Sequence, residues 1–414
     1  MNNEKEFKDL PEGWKWVRLE EDVILITGSR PKGGAIEEGI PSLGGEHITE
    51  DGRIIFTEQN AKYIPDKFFK LMPKGKVEVN DILINKDGAN TGKVAILKVK
   101  FHPHIAINEH LFILRSKKLF EQKYLFYWLY SSFAQTEIKN RITGSAQPGL
   151  SSSFIKNFFL PLPPLPEQRK IAEILENVDN IIEKTDKIIE KYKRIKQGLM
   201  QDLLTKGIDE NGNIRNEKTH KFKDSPLGRI PEEWEVVRLG EMGEIIYGER
   251  LNEYEYVEDG SSIVYGTTGI IARTDKYIDV GEAIILPRKG SINNKFYVKE
   301  GQKFFVIDTA FYVKFTKTEV YVKYIYYFLH QVNFELLNEA TGIPSLNREN
   351  LKNILIPLPP LPEQQRIAEI LSQIDKTIEK EEQYKEKLKR LKQGLMGDLL
   401  TGKVRVNHLV EEEE

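Results

Sequence analysis

One stretch occurs twice and constrains everything around it: a proline-rich brake followed at once by a long helix of heptad pattern. The first copy reads PLPPLPEQRKIAEIL from Pro161 to Leu175, the second PLPPLPEQQRIAEIL from Pro357 to Leu371, and 13 of the 15 positions agree. Further along, KQGLMQDLLT (Lys196 to Thr205) returns as KQGLMGDLLT (Lys392 to Thr401). Brake and tail share one offset of 196 residues, so neither copy carries a net insertion between them. At 1.5 Å per residue each rod would be about 57 Å long. Two rods of fixed, equal length have the character of a ruler.

On the first rod Ile171, Val178, Thr185, Tyr192 and Leu199 recur every seven residues, Ile174, Ile181, Ile188 and Ile195 follow three positions later, and Leu175, Ile182 and Ile189 widen the stripe. The second rod repeats the scheme with Ile367, Ile374, Leu388 and Leu395, then Ile370, Tyr384 and Leu391, and places Thr377 and Glu381 in the seam. A heptad seam of this length needs a partner helix, which is either the other rod or a second copy of the chain. Connectivity favours an antiparallel pair: the second body begins soon after the first rod ends, through the polar linker Lys206 to His220, and closes where the second rod starts. Antiparallel rods let that body be an ordinary domain with neighbouring termini, in a pseudo-twofold, circularly closed molecule. In the brake, Pro161, Pro163, Pro164 and Pro166 remove backbone donors and impose an extended, polyproline-like exit, while Glu167 places negative charge near the helix N-terminus. A proline-rich ligand of the SH3 type is the other reading of that stretch.

The repeat reaches further back. Phe7-Lys8-Asp9, Pro11-Glu12-Gly13-Trp14 and Val17 to Leu19 return as Phe222-Lys223-Asp224, Pro231-Glu232-Glu233-Trp234 and Val237 to Leu239. The chain is therefore two tandem units, each an opening segment, a body, a brake and a rod. Trp14 and Trp234 are 220 apart and the brakes 196, so the second body is 24 residues shorter. Strand-like runs such as Val23 to Thr27, Asp81 to Asn85 and Lys93 to Val99 alternate with Gly and Pro turns, and an aromatic helix follows late in each body (Lys123 to Phe133, Lys323 to Phe334). Those aromatics read as core, with base stacking as the rival. The expected fold class is α+β: two globular α/β domains separated by a pair of long helices in an antiparallel coiled coil. The expected boundaries are residues 1–160, 161–207, 208–356, 357–403 and a polar acidic tail, 404–414.

With 414 residues, 40% hydrophobic and 30% charged, the chain reads as soluble and globular, and the absence of cysteine excludes disulfides and thiolate zinc sites. No signal peptide or membrane span is expected, which suits a cytoplasmic location. The net charge of −2 gives no whole-molecule attraction to nucleic acid, so such binding must come from local patches. The bodies differ in this respect: Pro11 to Leu160 holds 21 Lys plus Arg against 17 Asp plus Glu, a balance of +4, and Pro231 to Ile356 holds 14 against 19, a balance of −5.

No catalytic set emerges. Gly88 to Val94 has three residues between its glycines instead of four, and Val94 stands where a phosphate loop needs Ser or Thr. His102, His104 and His110, with Glu109, could be imagined as metal ligands, but the second body has no equivalent and no metal is expected. A comparison of the bodies says more. The loop Asn85 to Lys93 aligns with Pro287 to Lys295, each entered from an apolar strand, with Gly88 matching Gly290. Asn85, Lys86, Asn90 and Lys93 in the first, and Arg288, Lys289, Asn293, Asn294 and Lys295 in the second, make a basic, amide-rich loop of the kind that meets phosphates and base edges. A solvated hairpin tip is the alternative.

The tandem PLPPLPEQ, long helix and KQGLM-DLLT behind two unlike bodies, with the opening segment from Phe222 to Trp234, resembles the specificity subunit of type I restriction-modification systems. The resemblance implies two target-recognition domains that each read half of an asymmetric, bipartite double-stranded DNA site, and helices that set the gap between the halves. It also implies docking of two modification (methyltransferase) subunits, with restriction subunits added to them, and makes Glu167, Gln168, Gln197, Glu363, Gln364 and Gln393 candidate partner contacts. Catalysis and cofactors would belong to those partners, so no cofactor is expected here. A coiled-coil protein scaffold and, further off, a metal enzyme using His102, His104 and His110 remain as rivals. If the rods are a ruler, lengthening both by about seven residues, two helical turns, lengthens the unread gap and leaves the half-sites intact. Mapping of methylated sites reads this directly, and an unchanged gap refutes it.

Overall fold

A computed structural model describes residues 10–144 and 148–410; the repeated Phe7-Lys8-Asp9 and the terminal acidic residues 411–414 lie outside them. In chain order the first half contains β1 (Lys15–Arg18), β2 (Val23–Thr27), β3 (Ile82–Asn85), β4 (Val94–Ile96), β5 (Leu111–Ser116), α1 (Gln122–Tyr130), β6 (Phe159–Leu162) and the rod α2 (Leu165–Leu203). The second half contains β7 (Glu235–Arg238), β8 (Gly243–Tyr247), β9 (Ala283–Pro287), β10 (Phe296–Val298), β11 (Ala310–Phe315), α3 (Val322–Leu329), β12 (Leu355–Leu358) and the rod α4 (Leu361–Leu399). Two compact units result: residues up to Thr185 with those from Tyr384 onward, and Asp186–Gln383. Each unit takes one body and a part of both rods, a division that cuts across the contiguous boundaries read from the sequence.

Both bodies are built on a four-stranded sheet, ordered β2-β5-β3-β4 in the first and β8-β11-β9-β10 in the second, antiparallel throughout. The central strands β3 (ILIN) and β9 (AIILP) are buried along their whole length because both faces are covered. Ile82 and Ile84 join the core that holds the aromatics of α1, while Leu83 points to the other side, against Leu43 and Ile107 of a small second sheet. Ile284 and Leu286 repeat the first arrangement around α3, and Ile285 repeats the second against Tyr265 and Phe304. The period of two along a strand sends successive side chains to opposite layers. Tyr124, Tyr127, Trp128, Tyr324 and Tyr327 are fully buried, so the aromatic helices are core and not stacking platforms.

The brake begins as a strand and passes through two prolines into the rod, so it is not a free polyproline spacer. β6 pairs with β1, setting Pro161 opposite Trp16, and β12 pairs with β7, setting Pro357 opposite Val236. A two-stranded ribbon tolerates proline because an edge position requires no donor from it. The rod starts at once, with Pro166 and Glu167 in its first turn. Glu167 accepts hydrogen bonds from the Trp14 indole (3.0 Å), from Arg405 Nε (2.7 Å) and Nη2 (2.8 Å), and from the Val406 amide (3.4 Å). Glu363 does the same for the Trp234 indole (3.1 Å), the Ile208 amide (2.9 Å) and the Arg215 guanidinium. Arg405 from the tail thus supplies the first unit with what Arg215 from the linker supplies to the second. Gly402 and Gly207 turn the chain at these points with φ of +74° and +64°, and a Cβ on either would collide with Pro11 or with Trp234.

The neighbouring glutamines close the same joint. Gln168 accepts from the Glu121 amide (2.8 Å) and donates to the carbonyls of Leu119 (3.0 Å) and Pro163 (2.9 Å); Gln364 repeats this with Tyr321 (2.8 Å), Glu319 (2.9 Å) and Pro359 (2.8 Å). Brake, rod and the start of the aromatic helix are therefore fastened at one point in each unit.

The rods pair antiparallel within each unit. In the first, Glu167 meets Arg405 and Asp179 meets Lys392 (2.6 Å), so the partner number falls as α2 advances. In the second, Glu363 meets Arg215, Asp375 meets Lys196 (2.6 Å) and Glu382 meets Lys193 (2.8 Å). The body joins this contact through one tyrosine, Tyr127 donating to Asp179 (2.8 Å) and Tyr327 to Asp375 (2.7 Å). The seam, however, is not the one the heptad reading set out. Ile171, Leu175, Val178, Ile182, Thr185 and Ile189 are buried, whereas Ile181, Ile188 and Ile195 stand about 40% exposed. A 4-3 alternation selects one of the two stripes that flank the first row, and the other faces away. On α4 the same happens: Ile367, Leu371, Ile378 and Leu388 go in, and Tyr384 and Leu391 stay out.

Glu167→Ala leaves Arg405, the Trp14 indole and a backbone amide without their acceptor, and should lower stability by about 3 kcal/mol in denaturant unfolding. Burial pushes the Glu167 carboxyl up, but Arg405 and Trp14 outweigh it and hold the group below the usual range. A depressed carboxylate contributes stability above its unfolded pKa and loses it as the pH falls. The gap between wild type and Glu167→Gln should therefore close below about pH 4.

Candidate nucleic-acid interface

In both bodies three loops meet at one end of the main sheet, because β2 and β3 end where β5 begins. Thr27 lies opposite Phe112 and Asn85 opposite Leu111; Tyr247 lies opposite Phe311 and Pro287 opposite Ala310. The first loop leaves β2 or β8 through Gly28 or Gly248, where a Cβ would run into the carbonyls of Ile107 and Asn108, or of Val306 and Ile307. Two residues on come Arg30 and Arg250, both exposed. The second loop is the basic, amide-rich one. The third is the turn before β5 or β11, carrying Glu109 and His110 in one unit and Asp308 and Thr309 in the other.

The structure divides the residues of the amide-rich loop by what they do. Asn85 is 1% exposed and donates to the Asp87 carbonyl (2.8 Å), and Lys295 is 5% exposed; both face inward and shape the loop. Asn90 and Asn294 donate to the carbonyls of Gly45 (3.1 Å) and Thr267 (3.0 Å), tying the loop to the turn that follows a strand of the second sheet. Asn293 bonds Glu335 (3.0 Å), and Lys93 bonds the exposed Glu50 (3.3 Å). Lys86 and Arg288 have matching roles, each donating to the carbonyl of the third loop: Lys86 Nζ to Glu109 (2.9 Å) and Arg288 Nη1 to Asp308 (2.8 Å). Lys289 is exposed.

Charge pairing at this end runs opposite to the counts from sequence. In the first unit, where the body balances at +4, the cations are met by carboxylates, Arg30 by Glu109 (3.0 Å) and Lys86 by Asp87 (3.8 Å), and His110 lies beside the same two carboxylates, 2.6 Å from Asp87 and 3.6 Å from Glu109. In the second, where the body balances at −5, no carboxylate among the described residues pairs with Arg250, Arg288 or Lys289. The sequence comparison found the second loop from its cations and glycine. It missed Arg30, Arg250 and the third loop, although Gly28-x-Arg30 and Gly248-x-Arg250 share the 220-residue offset of the tryptophans.

The remaining candidates lie elsewhere. His102 bonds the backbone of His104 (2.6 Å), whose ring lies against Phe69, while His110 belongs to the loop end. Among the described residues no group of three or more His, Asp or Glu gathers as a metal site would. Glu167, Gln168, Glu363 and Gln364, expected as partner contacts, are occupied inside their own units by the joint between brake and rod. Gln197 and Gln393 are exposed.

Lys295 gives a measurable signature. Its ammonium sits 4.0 Å from the Phe334 ring centroid and donates to the Val332 carbonyl (3.2 Å), and burial pulls its pKa down to about 8. A lysine depressed in the folded state destabilises that state while charged. Between pH 8 and pH 10.5 the unfolded chain holds the extra proton, so wild-type stability should rise across that window relative to Lys295→Met. Thermal melting of the two proteins over that range checks it.

The comparisons with known proteins agree on both halves of the chain. The model of the type I restriction modification DNA specificity domain matches residues 11–194 and again 231–390. The type I restriction enzyme MjaVIII specificity subunit of Methanocaldococcus jannaschii is 30% identical over 98% of this chain and 97% of its own length. The putative MjaX specificity subunit of the same organism is 30% identical over 97% and 96%. Among solved structures, the type I restriction-modification S subunit from M. genitalium superposes with a TM-score of 0.63 at 16% identity, covering 95% of this chain and 96% of that one. A chain from a structure of assembly and conformational transition in the type I R-M system gives 0.52 at 18%, covering 96% and 100%. At such identity these two establish the likeness of fold.

Proposed function

This chain belongs to the family of type I restriction-modification DNA specificity proteins, and on that premise we propose that it is the sequence-reading subunit of such a system. The observation that carries the proposal is the duplicated loop end: both bodies bring a glycine-turned arginine loop, an amide-rich basic loop and a tight turn to the same end of an antiparallel sheet. Lys and Arg there suit phosphate oxygens, and Arg and Asn suit base edges. The two ends differ in sequence and in charge pairing, so the two half-sites differ and the target is asymmetric.

In this reading the recognition domains occupy residues 1–160 and 208–356, the rods 161–207 and 357–403, and a tail of residues 404–414 follows, whose Arg405 and Val406 close the first unit. Two modification subunits, with restriction subunits added, carry methylation and cleavage, and this chain contributes no catalytic group. Exposed apolar residues on the rods support a docking role, since they recur in each unit: Ile181, Tyr384 and Leu391 in the first, Ile188 and Ile195 in the second. Gln393 and Gln197 are also exposed, on another face of the rods. No helix among the described residues is long and apolar enough to cross a membrane, and the proposed location is cytoplasmic.

The test is a mobility-shift selection of bipartite duplexes by the chain with its modification subunits. Sequence-selective binding is expected, and its absence for every sequence and spacing sinks the proposal. Lys86→Ala and Arg288→Ala should each weaken DNA binding by about tenfold while assembly with the modification subunits survives. Unchanged affinity and specificity in both would reduce the loops to solvated turns.

A further inference from the structure

The second unit holds an arrangement the first does not. The ring of Tyr247, the last residue of β8, carries two guanidiniums: Arg288 and Arg348 each place Cζ 5.2 Å from its centroid. The ring also packs against Phe311, a core residue 1% exposed, with centroids 4.9 Å apart. Arg288 is fixed by its bond to the Asp308 carbonyl (2.8 Å). Arg348 opens a short helix whose capping residue, Asn347, accepts from the Glu349 amide (2.9 Å). The carboxylate beside Arg348 is that of exposed Glu349, at 3.9 Å, a weak pairing in water. Tyr247 itself remains 44% exposed, so the cluster lies at the surface of the loop end.

Hydrogen-bond register identifies the counterparts in the first unit. Leu346 donates to the Arg288 carbonyl (2.9 Å) as Leu150 does to that of Lys86, which sets Ser152 where Arg348 stands and Thr27 where Tyr247 stands. Ring, second cation and planar fork are all missing there.

We propose that Arg288 and Arg348, both set against the Tyr247 ring, are the base-reading pair of the second unit and that their ligand is guanine, taken in the major groove through O6 and N7. A phosphate needs only a point charge, which exposed Lys289 and Arg250 already provide. A guanidinium drawn to a ring and, for Arg288, tied to a carbonyl has a restricted position, and its planar donor fork matches the paired acceptors of guanine. Two cations on one ring with little anionic compensation also favour an electronegative edge over the amino groups of adenine or cytosine. The half-site read by the second unit therefore contains guanine at positions set by this pair. This rests on the proposed DNA-reading function.

The experiment uses the full chain with its modification subunits and duplexes in which each half-site is randomised in turn, with melting curves to show that every variant folds. Arg348→Lys and Arg288→Lys should keep assembly and non-specific affinity but lose about ten- to hundredfold discrimination for guanine at a single position each, in the second half-site only. Tyr247→Leu, which keeps both cations, should lose part of the discrimination at both positions. A second half-site without guanine, an unchanged profile in both lysine variants, or uniform weakening across all sequences, as phosphate contacts would give, overturns the inference. Failure of the wild-type complex to select any sequence overturns the DNA-reading function together with it, and is distinguished by that wild-type control.

Discussion

Each unit depends on a carboxylate in the first turn of a rod. Glu167 and Glu363 sit where the unpaired amides of a helix start already favour negative charge, and each then gathers an indole, a guanidinium and a backbone amide from segments far away in sequence. The tryptophan belongs to the opening segment, the arginine to whatever follows the other rod. One side chain therefore fastens the beginning of a body, the beginning of a rod and the end of the opposite rod. Removing it strands three donors in a buried place, which is why a single exposed ion pair is a poor guide to its worth.

This joint explains why the proline motif is so closely duplicated. Its first proline sits in a strand against the opening segment, its glutamate closes the joint, and its glutamine clasps the start of the aromatic helix. None of these tasks requires an outside partner. The likeness of the two copies is matched by two equivalent internal fittings, and the pairing of the rods leaves Ile181, Ile188, Ile195, Tyr384 and Leu391 exposed. Tyr127 with Asp179 and Lys392, and Tyr327 with Asp375 and Lys196, extend the logic, since each triad ties a recognition body to both rods.

Much of the architecture was legible in sequence because it is periodic or repeated. The equal offsets of brake and tail define two rods of 39 residues, and connectivity around them selects antiparallel order. The choice of seam was not legible: Ile174, Ile181, Ile188 and Ile195 and the stripe of Leu175, Ile182 and Ile189 flank the same first row, and only packing decides between them. The site was half legible. Lys86 and Arg288 stand out by charge beside a glycine, but Asn85 and Lys295 have the same polar identity and face inward, since polarity does not report direction. Glu109 and His110 drew notice only beside His102 and His104, and it is β pairing that brings their turn to Lys86.

Charge shows the same limit more sharply. A balance of −5 over the second body argues against nucleic acid when summed, yet attraction at contact distance depends on which charges are neutralised locally. In the first body the arginine, lysine and histidine of the loop end are each met by Glu109 or Asp87. In the second, the guanidiniums lie on an aromatic ring, which attracts them without cancelling their charge. An acidic body can thus present an uncompensated cationic edge, and a basic one a nearly neutral edge of mixed donors and acceptors. Under the proposed function, two ends of such different character on matched frames are suited to unlike half-sites, because the frame fixes where the loops stand and the loop side chains set what they can bond.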